Sequence, residues 1–147
     1  MQKRRTVKQY RALDLAMFAL MLTVAETLAV TAARRWFPNE PYTVSVTPAV
    51  TCIVLMRWGP WAGLHAVLGG IIFCMTSGAG MKHYAIYCLG NLLSLAALGY
   101  VRAATPEGIR ESVWKSLALA LMVTGLMQLG RALVAVVLGS DPVAALG

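Results

Sequence analysis

ALDLAMFALMLTVAETLAVTAA, residues 12–33, is the stretch whose reading decides the class of fold. It carries only two charged side chains, Asp14 and Glu26, and its length matches the ~20 apolar residues that an α-helix needs to cross a hydrocarbon core. A basic arm precedes it, with Lys3, Arg4, Arg5, Lys8 and Arg11. Such an arm before an apolar run also marks a secretory signal, but signal cores run to ~7–15 residues, shorter than this one. The stretch is therefore read as a first transmembrane helix over 12–34. Arg34, Arg35 and Trp36 close it, with the tryptophan at the depth where aromatic belts form.

The rest of the chain has the same character. Of 147 residues, 59% are apolar and 13% charged, with a mean hydropathy of +0.67. A soluble domain carries about 25% charged residues, so this chain lacks the charge to dress a water-facing surface. The length holds about five spans and leaves no room for a nucleotide-binding domain, which excludes a self-contained pump. Thirteen Lys and Arg against six Asp and Glu give a net charge of +7. The basic residues sit between apolar runs and form no groove with interleaved aromatics, so the excess encodes orientation rather than nucleic-acid binding. Cys52, Cys74 and Cys88 form no CxxC or Cys/His set, which fits packing thiols better than a zinc site or disulfide framework. A bridge between Cys74 and Cys88, at similar depth on neighbouring helices, is the open alternative.

Residues 37–42, PheProAsnGluProTyr, hold two prolines and predict a structured loop. A second segment over 44–57 is short for a ~30 Å core and contains Pro48, as re-entrant or tilted elements do. Further helices are predicted over 60–77, 84–101 and 112–139, with Gly63, Gly69 and Gly70 allowing close contact and residues 102–111 as a polar connection. Ser140 or Asp141 as N-cap with Pro142 behind it marks the start of a sixth helix over 141–147. The expected fold is an all-α integral membrane protein, a single transmembrane domain over 1–147. It has five transmembrane segments, the second one short, and a sixth that is cut off, so that the native product continues past residue 147. With the amino terminus inside, nine basic residues (Lys3, Arg4, Arg5, Lys8, Arg11, Arg57, Arg102, Arg110 and Lys115) face the cytoplasm. Three, Arg34, Arg35 and Lys82, face outward, which places the protein as a multi-pass protein of the cell membrane with a cytoplasmic N-terminus.

No phosphate loop, HExxH, paired acidic motif or GxSxG elbow is present, so the chain is not read as an enzyme, and no cofactor or metal is expected. His65 and His83, predicted at opposite ends of the third helix, are read as structural or interfacial. Depth is more informative. Tyr84, Tyr87 and Asn91, spaced i, i+3, i+7, lie on one face in the outer half of the fourth helix. Gln128 and Arg131 lie on one face in the outer half of the fifth. Arg131 either lines a cavity or snorkels to the outer headgroups, and Gln128 beside it favours the cavity. Glu26 is its candidate internal partner or a further pocket group. The two tyrosines serve either an interfacial belt or ligand stacking. Trp36, Asn39 and Tyr42 on the first outer loop are candidate lid residues. Ala12 and Ala16 form an AxxxA step that serves either a partner helix or internal packing.

ArgAlaLeuAspLeuAla at the start of helix one, the prolyl outer loop, and the short segment ending in ArgTrpGlyProTrpAlaGly together resemble the substrate-binding S component of an energy-coupling factor (ECF) vitamin transporter. The resemblance spans nearly the whole chain; the order of elements matches better than any single motif. Members have six helices, so the chain departs by lacking the sixth. The resemblance implies capture of a vitamin or related micronutrient from outside, for ATP-driven uptake by a transmembrane coupling subunit and two cytoplasmic ATPases. It makes Ala12 and Ala16 the docking face, and Trp36, Asn39, Tyr42, Tyr84, Tyr87, Asn91, Gln128 and Arg131 the substrate-binding candidates. Arg131 and nearby Lys82 suit a partly aromatic, anionic ligand. The alternative function is a scaffolding subunit of an envelope complex with no small-molecule ligand.

Overall fold

Residues 6–38 and 44–141 are described by a computed structural model. Among them the chain is helical, with no strand. Its α-helices are α1 (Val7–Trp36), α2 (Thr47–Trp58), α3 (Ala62–Ser77), α4 (Met81–Asn91), α5 (Leu98–Ala104), α6 (Pro106–Arg110) and α7 (Val113–Val137). Short 3-10 segments, Gly59–Trp61 and Leu92–Ala97, join α2 to α3 and α4 to α5. Four stretches among the described residues are long and apolar enough to cross a membrane: Val7–Trp36, Thr47–Ser77, Met81–Ala104 and Val113–Val137. This is a helical membrane protein.

From Thr47 on, the predicted segments 44–57 and 60–77 fall within one of these stretches, which reverses at Gly59. The reversal needs φ +60° at that position, a conformation glycine adopts without steric cost. The Thr47 side chain then lies over Gly69, so α2 runs back along α3 with its first residue at the middle of its neighbour. Only a glycine leaves room for that threonine.

Two boundaries differ most from the sequence reading, and a third expectation falls outside the described residues. Helix α1 begins at Val7 rather than residue 12, because Gln9 reaches back to accept from the Thr6 amide at 3.0 Å and part of the basic arm becomes helix. The predicted polar connection 102–111 is mostly helical. Thr105 caps α6 by accepting from the Gly108 amide at 3.2 Å, and Pro106 takes the first helical position, where a missing N–H is harmless. The predicted sixth helix over 141–147 lies, from residue 142 on, outside the described residues.

Packing centres on α3, which touches α1, α2 and α4, and polar bonds tie both α3 and α2 to α1. Asp14 and Glu26 stand three turns apart on α1, and α2 is bonded to that helix at both ends. At one end the Asp14 carboxylate pairs with Arg57 Nε at 2.9 Å and accepts from Trp58 Nε1 at 2.5 Å. At the other, Glu26 accepts from the first residues of α2. Helix α3 runs parallel to α1. His65 Nε2 donates to the Leu15 carbonyl at 3.0 Å, and Arg34 donates to the Thr76 carbonyl at 2.8 Å. His65 is buried, with Nδ1 lacking a partner among the described residues, and His83 is exposed at the start of α4. The Asp14–Arg57 pair is partly solvated, so its charge energy is small and most of what Asp14 contributes is position. Asp14→Ala is expected to lower stability by about 1 kcal/mol, measured by thermal unfolding in detergent. A loss of several kcal/mol would contradict this.

Helices α4 and α7 cross at Gly90 and Gly130. A methyl group added at Gly90 would stand 2.6 Å from the Arg131 backbone nitrogen, and one at Gly130 would meet the Gly90 carbonyl. Inside a bilayer, close packing of small residues takes over the role that water exclusion plays in soluble proteins. Because the obstructing atoms are backbone, no rotamer change relieves the clash. Gly130→Ala is therefore expected to destabilise by about 1–3 kcal/mol despite alanine's better helix propensity, with the same unfolding assay as the readout. A stabilised variant would mean that the helices do not meet there.

Candidate functional site

Three helices repeat one pattern, apolar, polar, apolar, at spacing four. On α1 it is Leu22, Glu26, Val30. On α7 it is Met127, Arg131, Ala135, and on α4 it runs from Tyr87 through Asn91 to Leu95 beyond the helix end. Spacing of four keeps each set on one helix face. The apolar members belong to two separate clusters. One contains Leu22 and Met127, with Leu95 packed against it; the other contains Val30, Tyr87 and Ala135. Glu26, Asn91 and Arg131, all buried, form a polar layer between them.

Two of the three tie neighbouring segments together. Glu26, fully buried, accepts from Ser45 Oγ at 2.7 Å and from the Val46 and Thr47 amides at 2.7 and 3.0 Å. It is the N-terminal cap of α2, supplied from another helix, and its negative charge faces the positive end of that helix dipole. Asn91 donates from Nδ2 to the Ala66 carbonyl at 2.9 Å, and its backbone carbonyl accepts from Ser94 Oγ at 2.6 Å. Both act as struts between helices.

Arg131 is different. Only 8% exposed, it donates from Nε to Asn91 Oδ1 at 2.9 Å and from one terminal nitrogen to Gln128 Oε1 at 3.2 Å. Its guanidinium carbon lies 4.3 Å from the centre of the Tyr87 ring, which in turn stacks on Phe73 at 4.6 Å and 19°. A guanidinium has five N–H groups. Among the described residues, no acceptor takes the rest and no carboxylate reaches ion-pair distance. Glu26 acts on it electrostatically but spends its oxygens on α2. A cation held by neutral dipoles and an aromatic face, with N–H groups that no described residue takes, has donor chemistry that suits an oxyanion or a carbonyl-rich group.

The sequence-predicted residues fall into three groups. Tyr87, Asn91, Gln128 and Arg131 come together in one constellation, and Arg131 is buried in the bundle rather than snorkelling. Tyr84 does not join them; half-buried, it packs against the cluster of Val30 and Phe73. Trp36 is 72% exposed at the end of α1. Asn39 and Tyr42 lie outside the described residues. Glu26 is not the ion-pair partner of Arg131, because α2 takes it. Ala12 and Ala16 are exposed on a side of α1 shared with Leu13, Met17 and Leu20, away from the packing among the described residues. Cys74 and Cys88 are free thiols. Phe73, unsuspected from sequence, backs the Tyr87 ring; an aromatic in an apolar helix carries no signal of its own.

These features define a polytopic helical membrane protein with a buried cationic constellation. No protein-family model, curated protein or solved structure matches the chain.

Proposed function

We propose that the chain is the membrane-embedded substrate-capture subunit of an ECF-type transporter, binding a vitamin or related micronutrient from outside the cell membrane for uptake powered by partner ATPases. One observation carries this reading: Arg131 is buried, has N–H groups that no acceptor takes among the described residues, and is held in place by Asn91, Gln128 and Tyr87. An arginine within a membrane helix costs several kcal/mol unless a cavity or partner receives it. A structural strut would spend all of its donors on the protein. The exposed small-residue step at Ala12 and Ala16 supports the second half of the reading, a face on α1 where a coupling subunit docks.

The test is native mass spectrometry of the chain purified from its own membranes, followed by titration with candidate micronutrients. A stoichiometric small molecule, lost in Arg131→Ala, is the expected result. A chain that carries no small molecule and binds none in the titration would return it to the scaffolding reading.

A further inference from the structure

At the Trp36 end of the bundle, α1 and α3 frame an open cavity of about 350 Å³ lined by Thr31, Arg34, Arg35 and Thr76. All four side chains carry hydrogen-bond donors and none is acidic. Arg34 is braced by its bond to the Thr76 carbonyl, and a cation on the last carbonyls of a helix is ordinary C-terminal capping. Capping accounts for that one bond and for nothing else in the cavity. Arg35 has no carboxylate at ion-pair distance among the described residues. Helical threonines usually turn their hydroxyl back to the carbonyl four residues earlier, as Thr23 does to Ala19 at 2.8 Å. The hydroxyls of Thr31 and Thr76 make no bond to another described residue. Two guanidinium groups and two uncommitted hydroxyls thus surround one space between two helices.

We propose that this cavity is a phosphate site, separate from the Arg131 constellation. The planar N–H fork of arginine matches the oxygen spacing of a phosphate, and basic pockets between membrane helices are suited to lipid headgroups. Exposed Trp36 and Phe37 beside it mark the depth of the membrane interface, where phospholipid phosphates lie. The same donors would accept a free phosphate ester. An additional choline cation would be repelled by the arginines, so an anionic phospholipid is favoured over phosphatidylcholine.

Native mass spectrometry of the whole chain, exchanged into mixed phosphatidylglycerol and phosphatidylcholine, tests this. The wild type is expected to retain one phosphatidylglycerol in preference to phosphatidylcholine. Arg35→Gln should reduce its occupancy about tenfold, the effect of losing one charge-assisted contact, and Thr31→Val about threefold, both with unchanged thermal unfolding. Displacement by millimolar inorganic phosphate would identify a free phosphate group as the ligand, and retention would identify the lipid headgroup; either supports the site. Equal lipid retention by wild type and both variants, with no displacement by phosphate, would overturn the proposal.

Discussion

Glu26→Ala is expected to lower the stability of this protein by about 3–5 kcal/mol, enough to abolish a monodisperse preparation at ordinary temperatures. The carboxylate receives three hydrogen bonds, two of them from the first amides of α2. Helix N-termini leave several N–H groups without internal partners, and within a bilayer no water is at hand to take them. Alanine would orphan the Val46 amide and the Ser45 O–H and leave the Thr47 amide only its longer bond to Ser45 Oγ at 3.3 Å. Pro48 follows in the first turn, so α2 has little room to re-form its start elsewhere. Glu26→Gln should cost roughly half as much. It keeps one oxygen acceptor but turns an amide N–H toward the remaining donors. Thermal unfolding in detergent, followed by helical circular dichroism, gives the ranking wild type, Gln, Ala. Equal stability of all three would mean that α2 does not depend on α1 for its cap.

Glu26 also marks where the sequence stopped being legible. Its burial and depth could be read from its place in an apolar run, and a charged group at that depth predicts a partner. The natural guess is the opposite charge, Arg131. The actual partner is backbone, and backbone donors leave no mark on a sequence except through the element they begin. That element is short and Pro-bearing, and it begins at Thr47 rather than residue 44. The Asn91, Gln128 and Arg131 constellation was legible for the converse reason. Each residue sits on a long helix whose 3.6-residue period fixes its face, so spacing alone assigns depth and direction. Tyr84 shows the limit of that logic. It shares the face of Tyr87 and Asn91, yet one turn farther along the helix it meets an apolar cluster instead of the arginine. The α4–α7 crossing escaped because it needs Gly90 and Gly130 together, and a pairing across two helices is invisible within either one. Helix α6 escaped although its signal was present. Thr105–Pro106–Glu107 is the same cap-and-proline pattern that was read at Ser140–Asp141–Pro142.

Arg131 provides the second large effect, and it separates the receptor reading from the strut reading. A strut and a receptor both lose contacts when the arginine is removed, but they differ in what happens to stability. Arg131→Met retains the length and the apolar stem and removes the charge. It leaves Asn91 Oδ1 without its partner, a cost of about 1–3 kcal/mol for a buried acceptor. Against that, it relieves the burial of a cation that no carboxylate among the described residues neutralises by direct contact, an energy of similar size. The two nearly cancel, so the unfolding midpoint should move by no more than about 1 kcal/mol equivalent. Ligand affinity, in contrast, should fall by about tenfold to a hundredfold, the loss of one or two charged hydrogen bonds at ~1–3 kcal/mol. Arg131→Lys is the sharper variant. It keeps the charge but replaces the planar fork with a point cation, so it should bind weakly and unfold early, since an ammonium cannot keep the Asn91 bond and lie flat on Tyr87. Isothermal titration with the ligand found by mass spectrometry, together with unfolding of the same samples, gives both readings. Binding that survives in Arg131→Met while stability collapses would make Arg131 a strut between α4 and α7 and would move the ligand site elsewhere in the bundle.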